Sequence, residues 1–197
     1  MLWYLILFNF FTVQGNLESP PNKTLWFDII YKEKTIGSLK ATKTSKNAKI
    51  TYHTSSTINF RLIKEFAVNY KYDVSFDAEL LKKAVVNISI NDKSHAKTLT
   101  QWHENEYHIE KNGKTEAPLE STINYATILL YFVEPLNVTD CYSEQDGSFN
   151  TIIPLGNHGY KKINANGKEN EYYYKHGVLE KAVIDGGLIS FEMQLRE

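Results

Sequence analysis

The sequence predicts an all-β fold with one buried helix: a strongly curved antiparallel sheet or open barrel wrapped on a central helix at about 121–133. Three observations predict it. Apolar and polar residues alternate with period two along most of the chain, the pattern of strands with one buried and one wet face. Turn-forming pairs such as Asn91-Asp92, Asn112-Gly113 and His176-Gly177 separate these runs, and no connection is long enough for repeated β-α-β crossovers. One apolar stretch, 121–135, breaks the alternation and reads as a helix. Composition agrees, since 13 Tyr and 10 Phe accompany plentiful Thr, Ile and Val.

Taken in order, the chain opens on an apolar run over 2–13. That run is shorter than the roughly 20 residues needed to span a bilayer and suits the core of a signal peptide. Cleavage is expected after Gly15, which makes 1–15 a leader and 16–197 a single β-rich domain, exported to the periplasm or secreted, with no membrane span after leader removal. A buried first strand is the other reading of the same residues.

A hairpin follows, with strands at 24–31 and 36–44 around the polar turn 32–35. The next strand, 50–57, continues or bends into 58–63. The clearest strand is 66–76, where Phe66, Val68, Tyr70, Tyr72, Val74 and Phe76 share one face. At about 3.4 Å per residue it is long enough to be strongly curled. Residues 81–90 form another strand, and 98–103 with 106–111 a further hairpin. Asn112-Gly113 is a strong two-residue turn because both residues tolerate positive φ.

The expected helix starts with Ser121 as its cap and ends before Pro135. Tyr125, Ile128, Leu129 and Phe132 fall on one helical face, with Ile123, Ala126, Leu130 and Val133 on a second. Such a helix is apolar nearly all round and belongs inside the sheet. Beyond it, 148–154, 160–164, 169–175, 178–185 and 188–196 read as a closing meander.

Charge excludes some functions. With 22 basic and 23 acidic residues the net charge is -1, so the chain has no basic field for a phosphate backbone and nucleic acid is not an expected partner. Cys141 is the only cysteine, so no internal disulfide forms; it is either buried and inert or open to intermolecular pairing. His103-Glu104 and His108 lack metal-ligand spacing, being five apart in strand-like sequence, and no metal or cofactor is expected. Cys141 with His158 lacks an oxyanion hole and a third orienting group. The sequons at Asn22, Asn87 and Asn137 matter only in a eukaryotic secretory pathway.

Glu134, Tyr142, Ser143 and Glu144 cluster around the expected helix exit, beside Tyr131. Two carboxylates held about 5 to 10 Å apart can do acid and base work on a glycosidic bond. The bland reading has Glu134 bonding backbone amides of the following loop while Ser143 and Glu144 brace the Asp146-Gly147 turn. Tyr172, Tyr173 and Tyr174 alternate between faces, so they read as core packing on one side and sheet surface on the other.

The stretch Leu130-Tyr131-Phe132-Val133-Glu134-Pro135, the turn Tyr142-Ser143-Glu144-Gln145-Asp146-Gly147, the run from Gly167 through Tyr172 and Tyr174 to His176-Gly177-Val178-Leu179, and the early Ile36-Gly37 pair together resemble a family of exported proteins of unknown function from Bacteroidota. The resemblance covers nearly all of the chain after the leader. It implies no assigned activity. Its layout is similar to that of envelope proteins built as curled sheets or open barrels, some of which hold acyl chains in the concave face. The expectation is a non-catalytic envelope protein that binds an apolar or lipid ligand, or another envelope component, through Tyr131, Glu134, Tyr142, Ser143 and Glu144. One alternative is a hydrolase acting on envelope carbohydrate through Glu134 and Glu144. Another is a structural protein that pairs with a partner through a sheet edge.

Overall fold

Alternation along the chain builds one sheet. The structure, a computed structural model, describes residues 22–196, so the expected leader at 1–15 lies outside the described residues. The strands are β1 (Lys23–Tyr31), β2 (Lys34–Lys46), β3 (Lys49–Arg61), β4 (Glu65–Asp77), β5 (Leu80–Ile90), β6 (Lys93–His103), β7 (Glu106–Lys111), β8 (Lys114–Thr115), β9 (Asp140–Ser143), β10 (Ser148–Gly156), β11 (Gly159–Ile163), β12 (Glu169–Lys175), β13 (Val178–Asp185) and β14 (Ser190–Leu195). They form a 14-stranded sheet in the order β8-β7-β6-β5-β4-β3-β2-β1-β14-β13-β12-β11-β10-β9. Two antiparallel meanders therefore meet where the first strand pairs with the last, Phe27 opposite Leu195 and Ile30 opposite Glu192.

Tight turns make this topology cheap. Both central residues take positive φ in Lys32-Glu33, Asn91-Asp92, Asn112-Gly113, Asn157-His158 and His176-Gly177, the geometry whose twist matches that of the flanking strands. Gly37 is required by close approach rather than by a turn. A Cβ there would overlap the Thr57 carbonyl oxygen on the neighbouring strand, beside the register shift between Ile29 and Ile30.

The sheet curls but stays open, ending at β8 and β9. Side chains bring the two ends together. Tyr142 on β9 shares a 2.8 Å hydrogen bond with Thr100 on β6, Thr98 Oγ1 donates to the Gln145 carbonyl at 2.9 Å, and Lys111 Nζ donates to the Asp146 carbonyl at 3.1 Å. The concave face carries Phe27 and Ile29, Val74 and Phe76, Ala84 and Val86, and Tyr172 and Tyr174, all buried.

The buried helix expected at about 121–133 is not there. Its apolar middle is buried, with Ile123, Ala126, Ile128, Leu129, Leu130 and Phe132 shielded from solvent, whereas Val133, expected on the second buried stripe, is 44% exposed; the only helical piece is a 3-10 turn, Thr127–Tyr131. Ser121 caps nothing helical; the residue preceding the turn is Ala126, in extended geometry without a side-chain cap. The reason lies in competition for backbone partners. Leu81 N–H donates to the Ile123 carbonyl and Tyr142 N–H donates to the Tyr125 carbonyl, so strand edges claim the acceptors that a helix needs for its own first turns. β-branched Thr122, Ile123, Thr127 and Ile128 weaken the helical alternative. The segment still plugs the concave face: Tyr131 packs on Phe27, Phe132 on Tyr52, and Tyr174 donates to the Leu130 carbonyl at 2.7 Å.

Candidate functional site

A cavity of about 320 Å³ lies between the Thr127–Tyr131 turn, the turn joining β9 to β10, and the concave face. One wall is apolar, built by Ile29, Leu39, Ile58, Phe191 and Met193. The other carries the phenols of Tyr70, Tyr72, Tyr131 and Tyr172 together with Ser143, Glu144 and Lys162. Period-two alternation explains why inward positions of β3, β4, β11, β12 and β14 all reach this space.

Glu144 is its most unusual member. It is 1% exposed, and its Oε1 accepts a 3.0 Å hydrogen bond from Ile128 N–H, the first buried amide of the 3-10 turn. Its Oε2 is buried with no partner. Burial pushes the carboxyl up from the ordinary range, opposed by the Ile128 amide, its own amide, the Lys162 charge and the Thr127 hydroxyl. A carboxylate held this way has an acceptor to spare.

Lys162 supplies the opposite sign. It faces inward on β11 beside Tyr160 and is only 7% exposed. With the Asn150 amide oxygen turned toward it, Lys162 Nζ donates at 3.1 Å, and the amide nitrogen donates to the Phe149 carbonyl at 3.3 Å. No carboxylate among the described residues lies within ion-pair distance of this ammonium. Burial holds the Tyr72 and Tyr131 phenols well above their usual range, so both stay neutral donors at ordinary pH. Tyr72 donates to Gln145 Oε1 at 3.1 Å.

Of the five expected ligand-binding residues, the fold brings Tyr131, Ser143 and Glu144 to this cavity. Ser143 also braces its turn, donating to Asp146 Oδ2 at 2.9 Å and accepting from Asp146 N–H at 3.2 Å. Tyr142 does not line the cavity; it is fully buried and closes the sheet through Thr100. Glu134 does not line it either. Its buried Oε1 accepts from His158 Nδ1 and from Tyr160 OH, both at 2.8 Å, rather than from the backbone amides expected of it. Burial and then the Glu134 carboxylate push the Tyr160 phenol up to about 12.

The pairing of Glu134 with Glu144 across one glycosidic bond is therefore not what the fold builds. Glu144 sits in the turn before β10, whereas Glu134 is tied to His158 in the turn after it, at the other end of that strand. His158 is also committed to Glu134 and not to Cys141, whose buried thiol is pushed up to about 12 by desolvation. Among the described residues no group of three His, Cys, Asp or Glu side chains is placed to hold a metal ion; His103 stacks on His108 instead, with ring centroids 5.2 Å apart.

Sequence reasoning missed Lys162, Tyr172 and the Tyr70-Tyr72 pair as site residues. Alternation carried the signal, because Lys162 is two residues from inward Tyr160, and Tyr70 and Tyr72 lie on the inward face of the clearest strand. β9 gave no signal of its own, since Cys141, Tyr142 and Ser143 are buried in succession.

Among the described residues no helix is long and apolar enough to cross a membrane. None of the curated proteins matches the chain. Among solved structures, the crystal structure of a β-barrel-like protein of the domain of unknown function DUF1849 from Brucella abortus superposes with a TM-score of 0.58, covering 89% of this chain and 95% of that one at 8% sequence identity. At that identity the likeness shows a shared fold. The family model of the domain of unknown function DUF6134 matches residues 27–196, and the chain belongs to that family.

Proposed function

We propose that this protein is a non-catalytic binding protein that holds a small amphipathic ligand in the cavity beside Glu144, within an exported setting. One observation carries the reading: a fully buried carboxylate with an unpartnered oxygen lines a cavity whose far wall is apolar. An orphaned buried oxygen costs about 1–3 kcal/mol, and a ligand that donates to it removes that cost. The ligand's polar head faces Glu144, Lys162 and the phenols, while its apolar body lies on Ile29, Leu39, Ile58, Phe191 and Met193. The volume is at the small end of the ~300–1,000 Å³ range of ligand sites, which favours a compact amphiphile over a long acyl chain. Pairing with a partner through the sheet edge is the weaker reading, because the edge strands β8 and β9 have only two and four residues.

Native mass spectrometry after gentle purification tests the proposal. The expected result is a non-covalent adduct that is lost on denaturation and absent from Met193→Trp, whose larger side chain fills the apolar wall. A ligand-free wild-type mass, with no melting shift on adding short-chain amphiphiles, overturns it.

A further inference from the structure

The β3–β4 hairpin reaches past its neighbours. Its own pairing continues through Asn59 with Ala67, Phe60 with Phe66 and Arg61 with Glu65. The ladder from β2 stops at Ile58, and the ladder from β5 stops at Val68. Residues 59–67 thus form a two-stranded prong, roughly 10 Å long at about 3.4 Å per residue. It is well braced. Phe60 and Phe66 stack at 5.2 Å and 12°, and Asn91 clamps the base by accepting from Ala67 N–H and donating its own N–H to the Ala67 carbonyl, both at 2.8 Å.

The prong is tipped with the wrong residues for a free hairpin. Turns ordinarily carry Gly, Asn, Asp or Ser, yet Ile63 is 100% exposed and Leu62 47% exposed. Arg61 and Lys64 flank them, Lys64 lying 5.2 Å from the centre of the Phe66 ring. Exposed Lys32, Lys34 and Lys93 stand on the adjoining turns, and together these five basic side chains outnumber Glu33, Glu65 and Asp92 in a chain of net charge -1. The cavity lies toward the same end of the sheet, walled by Ile58 and Tyr70 immediately below the prong and by the turn at Glu144.

We infer that residues 59–67 are a membrane-docking prong that inserts Leu62 and Ile63 into an anionic lipid surface while Arg61, Lys64 and the neighbouring lysines meet the headgroups. A narrow convex apolar tip ringed by cations matches a headgroup layer, which apolar groups enter by about 5–10 Å, better than it matches a flat protein interface. The inference stands apart from the cavity reading and does not depend on what the cavity holds.

Cosedimentation of the purified protein with vesicles tests it. Wild type binds vesicles of equal parts phosphatidylcholine and phosphatidylglycerol more strongly than pure phosphatidylcholine, and added salt weakens that binding. The Leu62→Ser, Ile63→Ser double variant lowers the partition by about tenfold or more, since two buried aliphatic side chains are removed. Both positions are solvent-exposed, so the melting temperature is unchanged, and every variant shares the wild-type N-terminus, so the difference reports the prong alone. Ile63→Trp provides a second readout, a blue shift of indole emission on the anionic vesicles beyond any seen for the wild type, whose own three tryptophans also emit. Failure of the wild type to cosediment, undiminished binding by the double variant, or an indole emission that does not shift relative to wild type in the Ile63→Trp variant overturns the inference.

Discussion

Glu144 carries a penalty that its surroundings only partly offset. Its folded-state pKa is raised by burial, so the native chain holds this proton more tightly than the unfolded chain does. The sign follows from linkage: the penalty is absent below the unfolded pKa of about 4.3 and grows as pH rises through the folded value. Glu144→Gln keeps an acceptor for Ile128 N–H and removes the charge. We expect it to raise the melting temperature by a few degrees at about pH 7, given roughly 2–4 °C per kcal/mol for a chain of this size, with the gap closing on acidification toward about pH 4. Thermal unfolding of both proteins across that pH series checks it, and a lower melting temperature for the variant at neutral pH would show that Lys162 makes the charge net stabilising. Glu134 and Glu144 look alike in the sequence. One ended between a histidine and a tyrosine and the other half-satisfied in a cavity because a strand, β10, separates the turns that hold them.

At the scale of elements, the segment leading from β8 to β9 shows where periodicity misleads. A helix facing a sheet on one side needs its apolar residues on one face, but a plug surrounded by sheet buries residues in every direction, so the spacing of Tyr125, Ile128, Leu129 and Phe132 is satisfied by an irregular chain too. Leu130 is fully buried, with its carbonyl held by Tyr174. Leu130→Ala is expected to destabilise the protein by about 2–5 kcal/mol through the lost apolar contact and the void left inside the curl. Denaturant unfolding measures that loss, and far-UV circular dichroism of the wild type should show a β-dominated spectrum. The strands were far easier to read. The sequence pattern placed 169–175 and 178–185 where β12 and β13 stand, because each has one face buried and one face wet.

For the whole molecule, the joint between β1 and β14 is the structural hinge of the topology. Among the described residues the two meanders share no other strand pair, and Arg196 reaches Asp28 across 168 positions of sequence with a 2.6 Å ion pair. Gln194 lies opposite Asp28 on one side and Lys181 on the other, so proline there cannot serve a strand paired on both edges. Gln194→Pro is expected to abolish the native fold, read as loss of near-UV circular dichroism and of the wild-type gel-filtration peak, whereas a folded variant would mean the meanders stand alone. By itself the sequence determined the β class, the antiparallel sense, most strand positions, the turns and the burial of most apolar residues of 121–135, because alternation and turn chemistry are local. Only the tertiary structure decided that the first strand pairs with the last, that the plug is not a helix, and that Glu144, Lys162 and four tyrosines meet in one cavity. Those outcomes depend on which distant backbone groups and side chains compete for the same partners, and spacing along a chain does not encode that competition.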